Sequence, residues 1–99
     1  MSFTALAEPS RRAILDLLCE EPRPVGHLVA ALGMSQPAVS KHLRVLREAG
    51  LVDVRVDAQR RIYSLRLEPL QELDVWLAPY RERWTTALDR LDQHLEDQP

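Results

Sequence analysis

Between Ser35 and Gly50 the chain reads SQPAVSKHLRVLREAG. This stretch holds side chains suited to recognition. A glutamine amide, as in Gln36, matches the edge of adenine, and Arg or Lys matches guanine. Ser and Lys also hold phosphate oxygens. Wound as a helix at ~100° per residue, the stretch divides into two faces. Gln36, Pro37, Ser40, Lys41, Arg44, Arg47 and Glu48 fall on one. Ala38, Val39, Leu43, Val45, Leu46 and Ala49 fall on the other, with His42 among them. Ser35 suits the N-cap, Pro37 the first turn and Gly50 the left-handed position beyond the end. The same pattern also fits an ordinary solvated helix surface, and the flanking elements have to decide.

Before this helix, Val25 to Leu32 (VGHLVAAL) reads as a short helix with Val25, Leu28, Val29 and Leu32 inward, stopped by Gly33. A short helix, a tight glycine turn and a second helix with a polar face make a helix-turn-helix, predicted over about 25–50. Further upstream, FTALA gives a helical turn or two. A helix follows from about Pro9 to Cys19, with Ala13, Ile14, Leu15, Leu17 and Leu18 inward. The pair Pro22 and Pro24 then forces a loop.

After Gly50 the period changes to alternation. Val52, Val54 and Val56 point one way, and Asp53, Arg55 and Asp57 the other. Residues 61–66 read as a return strand after a turn at Ala58-Gln59-Arg60. This hairpin, placed over 51–67, carries Arg60 and Arg61 at its tip and forms the wing of a winged helix. With no Gly or Asn in the turn, a loop longer than two residues is expected. From Glu68 an apolar stripe runs through Leu70, Leu73, Leu77, Tyr80, Trp84, Ala87, Leu91 and His94, widened by Trp76, Leu88 and Leu95. Pro79 predicts a break or kink, with one helix over about 69–77 and a second from Pro79 to about Glu96. The stripe exceeds what a core of this size can cover. Pairing with a second copy would bury Trp76, Tyr80, Trp84, Leu88 and Leu91, together with Phe3 and Leu6. The fold class is mostly α with one β-hairpin: a winged helix-turn-helix with a long C-terminal dimerisation helix, the C-terminal helices and dimer interface lying over 68–96.

With 99 residues the chain is one domain. Net charge is −2, but its distribution is uneven. Residues 1–67 carry ten Lys and Arg against seven acids, whereas 68–99 carry three against eight. A basic front and an acidic tail orient the molecule in the field of a polyanion. No apolar run suggests a membrane span, and MSFTALAEPSRR lacks the layout of a secretory signal, so a cytoplasmic protein is expected. Cys19 is the one cysteine and excludes an intrachain disulfide. It is read as a small buried hydrophobe at the margin of a helix face. His42 is read as a partly buried histidine bonded to backbone or phosphate, His27 as exposed, and His94 as lying near a frayed end. No glycine-rich phosphate loop, nucleophile with an adjacent base or paired carboxylates in a cleft marks an enzyme, and no cofactor or metal site is expected.

The stretches FTALAEPSRRAILDLL, LVAALGMSQPAVSKHLRVLREAGLV and YRERW together resemble the ArsR family of small bacterial winged-helix repressors, over nearly the whole chain. The resemblance implies a homodimeric repressor bound to an operator and released by an inducer. Ser35, Gln36, Ser40, Lys41 and Arg44 would then face DNA, with Arg60 and Arg61 on the wing. Metal-sensing members carry a cysteine pair on the first helix of the helix-turn-helix, where this chain has PVGHLVA. Others carry Asp and His on the C-terminal helix, where this chain has His94 with scattered acids. The chain therefore sits beside the branch without those motifs, its effector unidentified. Two rivals stay open at the level of sequence. One is a metal or thiol sensor of the same fold working through Cys19. The other is a winged-helix module that binds an acidic protein instead of DNA.

Overall fold

The computed structural model describes residues 4–96, and Phe3 lies outside them. A 3-10 turn at Thr4–Leu6 leads into α1 (Pro9–Glu20), β1 (Arg23–Pro24), α2 (Val25–Leu32), α3 (Gln36–Glu48), β2 (Val52–Asp57), β3 (Arg60–Leu65) and α4 (Glu68–Glu96). Three helices pack on a small antiparallel sheet of order β1-β3-β2. Ile14, Leu28, Val39, Leu43, Leu46 and Val52 are the fully buried centre. Burying each such side chain is worth roughly 1.5–3 kcal/mol, and these residues fix the angle between α1, α2 and α3.

The ends of the helices follow from local chemistry. Glu8 caps α1, its carboxylate accepting the Arg11 N–H at 3.1 Å. Gly33 takes φ 63° at the end of α2 and donates its N–H to the Val29 carbonyl. That left-handed residue turns the chain sharply enough for α3 to start three residues later. At the other end of α3, Gly50 has φ 75°. The Gly50 N–H reaches Arg47 O at 3.0 Å and the Leu51 N–H reaches Leu46 O at 2.9 Å, the paired bonds of a Schellman motif. Leu51 is thereby driven into the core and the chain enters β2.

Four expectations need correction. The sheet is more than a hairpin, because Arg23 and Pro24 pair with Tyr63 and Ile62 on the outer edge of β3. Proline tolerates this edge position, where it owes no ladder N–H. The wing turn is tight. Asp57 pairs with Arg60, leaving only Ala58 and Gln59 to connect the strands, and Ala58 takes φ 56°. The C-terminal region is one helix of 29 residues with Pro79 inside it. Arg81 straps across the proline by reaching back to the Asp74 carboxylate, and to the Asp74 carbonyl at 3.4 Å. Finally, Cys19 is exposed. It lies a further ~100° round α1 from buried Leu18, beyond the edge of the packed face.

α4 begins on the body, where Leu70 packs against the core, and then projects from it. No α4 residue is buried. Leu6, expected at a dimer surface, is half-buried and packs against the core.

Candidate nucleic-acid interface

The site is built on α3. Its inward face is pinned by Val39, Leu43 and Leu46, each no more than 1% exposed, so the opposite face is presented in one orientation. The Ser35 hydroxyl accepts the Ala38 N–H at 3.3 Å and starts the helix. Gln36, Ser40, Lys41, Arg44 and Arg47 are all exposed. The sheet brings the wing beside this face. Val54 pairs with Tyr63 and Val56 with Arg61. Side chains alternate along a strand, so these four share one side of the sheet. Val52 is buried and Val54 half-buried, but Val56, near the tip, is 73% exposed.

A cleft of about 400 Å³ lies between helix and wing. From α3, Ser40, Lys41, Arg44 and Arg47 line it over a floor of Leu43 and Pro37; from β3 come Arg61 and Tyr63. Thus Ser40, Lys41, Arg44 and Arg61 of the expected set come together. Ser35 and Gln36 stay outside the cleft, at the exposed first turn of α3. Arg60 pairs in register with Asp57 and lines a separate recess with Pro24, Val25 and Gly26, a recess that Arg61 also borders. Arg47 and Tyr63 are members that the sequence did not single out. Arg47 was visible on the polar face of α3, but only the folded wing gives it company.

Charge in the cleft is uncompensated. Among the described residues, Arg23, Arg60, Arg66 and Arg81 each lie within 4.0 Å of a carboxylate. Lys41, Arg44, Arg47 and Arg61 form no ion pair with any described residue. A net acidic chain therefore keeps four free cations in one concave place, and low-dielectric walls focus their field outward. His42 stands on the edge of the α3 packing face with its side chain 20% exposed, and its Nε2 is 3.8 Å from the Glu8 carboxylate. Among the described residues its neighbour is thus an acid at the start of α1, and the two form an ion pair when the imidazole is protonated. Among the described residues no group of three or more His, Cys, Asp or Glu is arranged to hold a metal ion. No described helix is long and apolar enough to cross a membrane.

A helix-turn-helix with a fixed polar face, a basic wing beside it and unpaired cations between them defines a winged helix-turn-helix of the DNA-binding class. Comparison with known proteins agrees. The family described as "Bacterial regulatory protein, arsR family" matches residues 8–54. The HTH-type transcriptional regulator Rv2034 of Mycobacterium tuberculosis is 39% identical over 97 residues, covering 98% of this chain and 88% of that protein. Among solved structures, the ArsR family transcriptional regulator RHA00566 superposes with a TM-score of 0.73 at 32% identity, over 84% of this chain and 86% of that one. The homodimeric winged helix-turn-helix DNA-binding domain of Mb0332 from Mycobacterium bovis gives 0.64 at 31% identity, over 95% and 78%. The chain belongs to the ArsR family of bacterial regulatory proteins and is a transcriptional regulator with a winged helix-turn-helix domain.

Proposed function

We propose that the protein is a homodimeric repressor that binds an inverted-repeat operator in the bacterial cytoplasm. The observation that carries this reading is the set of four unpaired cations lining the cleft between α3 and the wing of a net acidic chain. Gln36 and Ser40 read base edges from the exposed face of α3. Ser35, Lys41, Arg44, Arg60 and Arg61 hold the flanking phosphates and set the register. The second copy is supported by the bare apolar stripe of α4 and by the likeness to the homodimeric Mb0332 domain. Two-fold symmetry places the reading helices in successive major grooves, with half-site centres about 34–36 Å apart. Repression needs no further contact, since a seated dimer occupies DNA that polymerase requires.

The test is selection of duplexes from a random pool, followed by titration of the winning sequence. An inverted repeat with half-sites one helical turn apart is expected. Arg44→Ala should weaken its binding and reduce the salt slope by about 1 per protomer, as loss of a phosphate contact does. Absence of any shift at low salt with folded dimer present would sink the reading in favour of a protein partner. Unchanged affinity and salt slope in Arg44→Ala would mean that α3 docks by another face.

A further inference from the structure

Arg47 and Tyr63 join the cleft only because the chain folds back on itself after Gly50. Arg47 sits in the last turn of α3, past the residues placed to meet base edges. Arg61 and Tyr63 are two residues apart on β3 and so point to the same side of the sheet. Tyr63 is half-buried and packs against the core, so its ring position is fixed while it still lines the cleft. Beneath them Leu43 is 1% exposed and closes the floor. Two guanidinium groups and a phenol, one group from the helix and two from the wing, thus line one concave space, and neither arginine forms an ion pair with a described acid.

We infer that Arg47, Arg61 and Tyr63 form a single subsite for one phosphate of the duplex backbone, shared between α3 and the wing. The inference rests on the DNA-binding reading above and adds a part to it. A guanidinium fork matches phosphate oxygens in two-point contact, and a phenol supplies one more donor. An anion gripped from both elements locks the wing against the reading helix. The subsite therefore carries no base preference and acts by holding Gln36 and Ser40 in register. The alternative, in which each arginine holds its own phosphate, would leave the wing free to pivot.

The measurement is the salt dependence of binding to a random-sequence duplex, with the selected operator alongside. If the subsite takes one phosphate per protomer, the double variant Arg47→Ala/Arg61→Ala lowers the slope of log K against log salt by about 2 per dimer. It weakens operator and random duplex by the same factor. Tyr63→Phe keeps the ring and the charge. It should lower affinity for both duplexes about threefold to tenfold, as loss of one hydrogen bond does, with the slope unchanged. Arg83→Ala, exposed on α4 and outside the cleft, is the control and should change nothing. A slope loss of about 4 in the double variant means two separate phosphates and overturns the shared subsite. So does an unaltered slope, or a Tyr63→Phe protein that binds like the parent. If the parent itself binds no duplex, the DNA-binding reading falls as well. Failure of the subsite alone leaves parental binding intact, so the two outcomes are distinct.

Discussion

Glu8 serves two elements at once. Its carboxylate caps α1 through the Arg11 N–H at 3.1 Å and lies 3.8 Å from His42 Nε2 on α3. Desolvation pushes this carboxyl up. The backbone N–H groups of Ser10 and Arg11 and the nearby charges of His42 and Arg11 outweigh it, and the net pKa lies below the ordinary 4.5. A carboxylate that is more acidic folded than unfolded adds stability above its unfolded pKa and loses it as pH falls through the folded value. Glu8→Gln should therefore unfold at lower denaturant than the parent at neutral pH. The gap should narrow as the pH falls below the ordinary carboxylate range and the parent carboxyl takes up its proton in the folded state. A gap of constant size across that range would show that the charge of Glu8 is not what stabilises the start of α1. Arg23 is the other residue whose role exceeds its sequence signal. It is 8% exposed, donates to the Leu17 carbonyl at 3.0 Å, meets Glu20 at 2.6 Å and His27 at 3.0 Å. It ties the end of α1 to the start of α2 beneath the wing. In the sequence it is one more basic residue in a loop between prolines.

At the scale of elements, the wing turn is where the local sequence and the local structure conflict. Two-residue hairpin loops need a left-handed residue, which Gly, Asn or Asp supplies without strain. Here the first connecting residue is Ala58, with φ 56°, and Gln59 does not share that conformation. Alanine in the left-handed region costs roughly 1–2 kcal/mol, while glycine gives back part of that through its looser unfolded chain. Ala58→Gly should raise the free energy of unfolding by about 0.5–1 kcal/mol in urea titration. Equal or lower stability would mean that Ala58 is not strained. The long regular elements were legible because each carries many repeats of one period. α1, α2, α3 and both arms of the hairpin lie within a few residues of where periodicity and capping put them. β1 was not legible, because two residues cannot show alternation. The continuity of α4 was hidden by Pro79, whose local preference is overridden by the turns of helix on both sides and by the Arg81 strap. The reading face of α3 was written in its own spacing. The cleft was not, since Arg47 and Tyr63 meet only through the register of β2 and β3.

The whole molecule is drawn out to 65 × 27 × 21 Å, with a radius of gyration of 18.3 Å, where a compact chain of about 100 residues has about 13 Å. The excess is α4, about 43 Å of helix at 1.5 Å per residue. Along it Trp76, Tyr80, Trp84, Leu88, Leu91 and Leu95 are each between 47% and 58% exposed. Trp76 and Tyr80 already touch one another, their rings tilted by 38° with centroids 4.8 Å apart. Isolated helices draw little stability from propensity alone, so a projecting helix with a bare apolar stripe calls for a partner. A second copy would place two clefts on one side of a duplex, and linked sites gain about 10²–10⁴ in avidity over either alone. Leu88→Glu combined with Leu91→Glu puts charge into the middle of the stripe without touching the body. Sedimentation equilibrium at micromolar concentration should show the parent as a dimer and this variant as a monomer. The monomer should keep the cooperative unfolding of the body, because α4 contributes no buried residue to it. On the selected operator it should bind about a hundredfold or more weaker, while a single half-site distinguishes the two proteins much less. A variant that remains dimeric would place the interface elsewhere than the stripe. A monomer that binds the full operator as tightly as the parent would show that the second copy adds nothing to recognition.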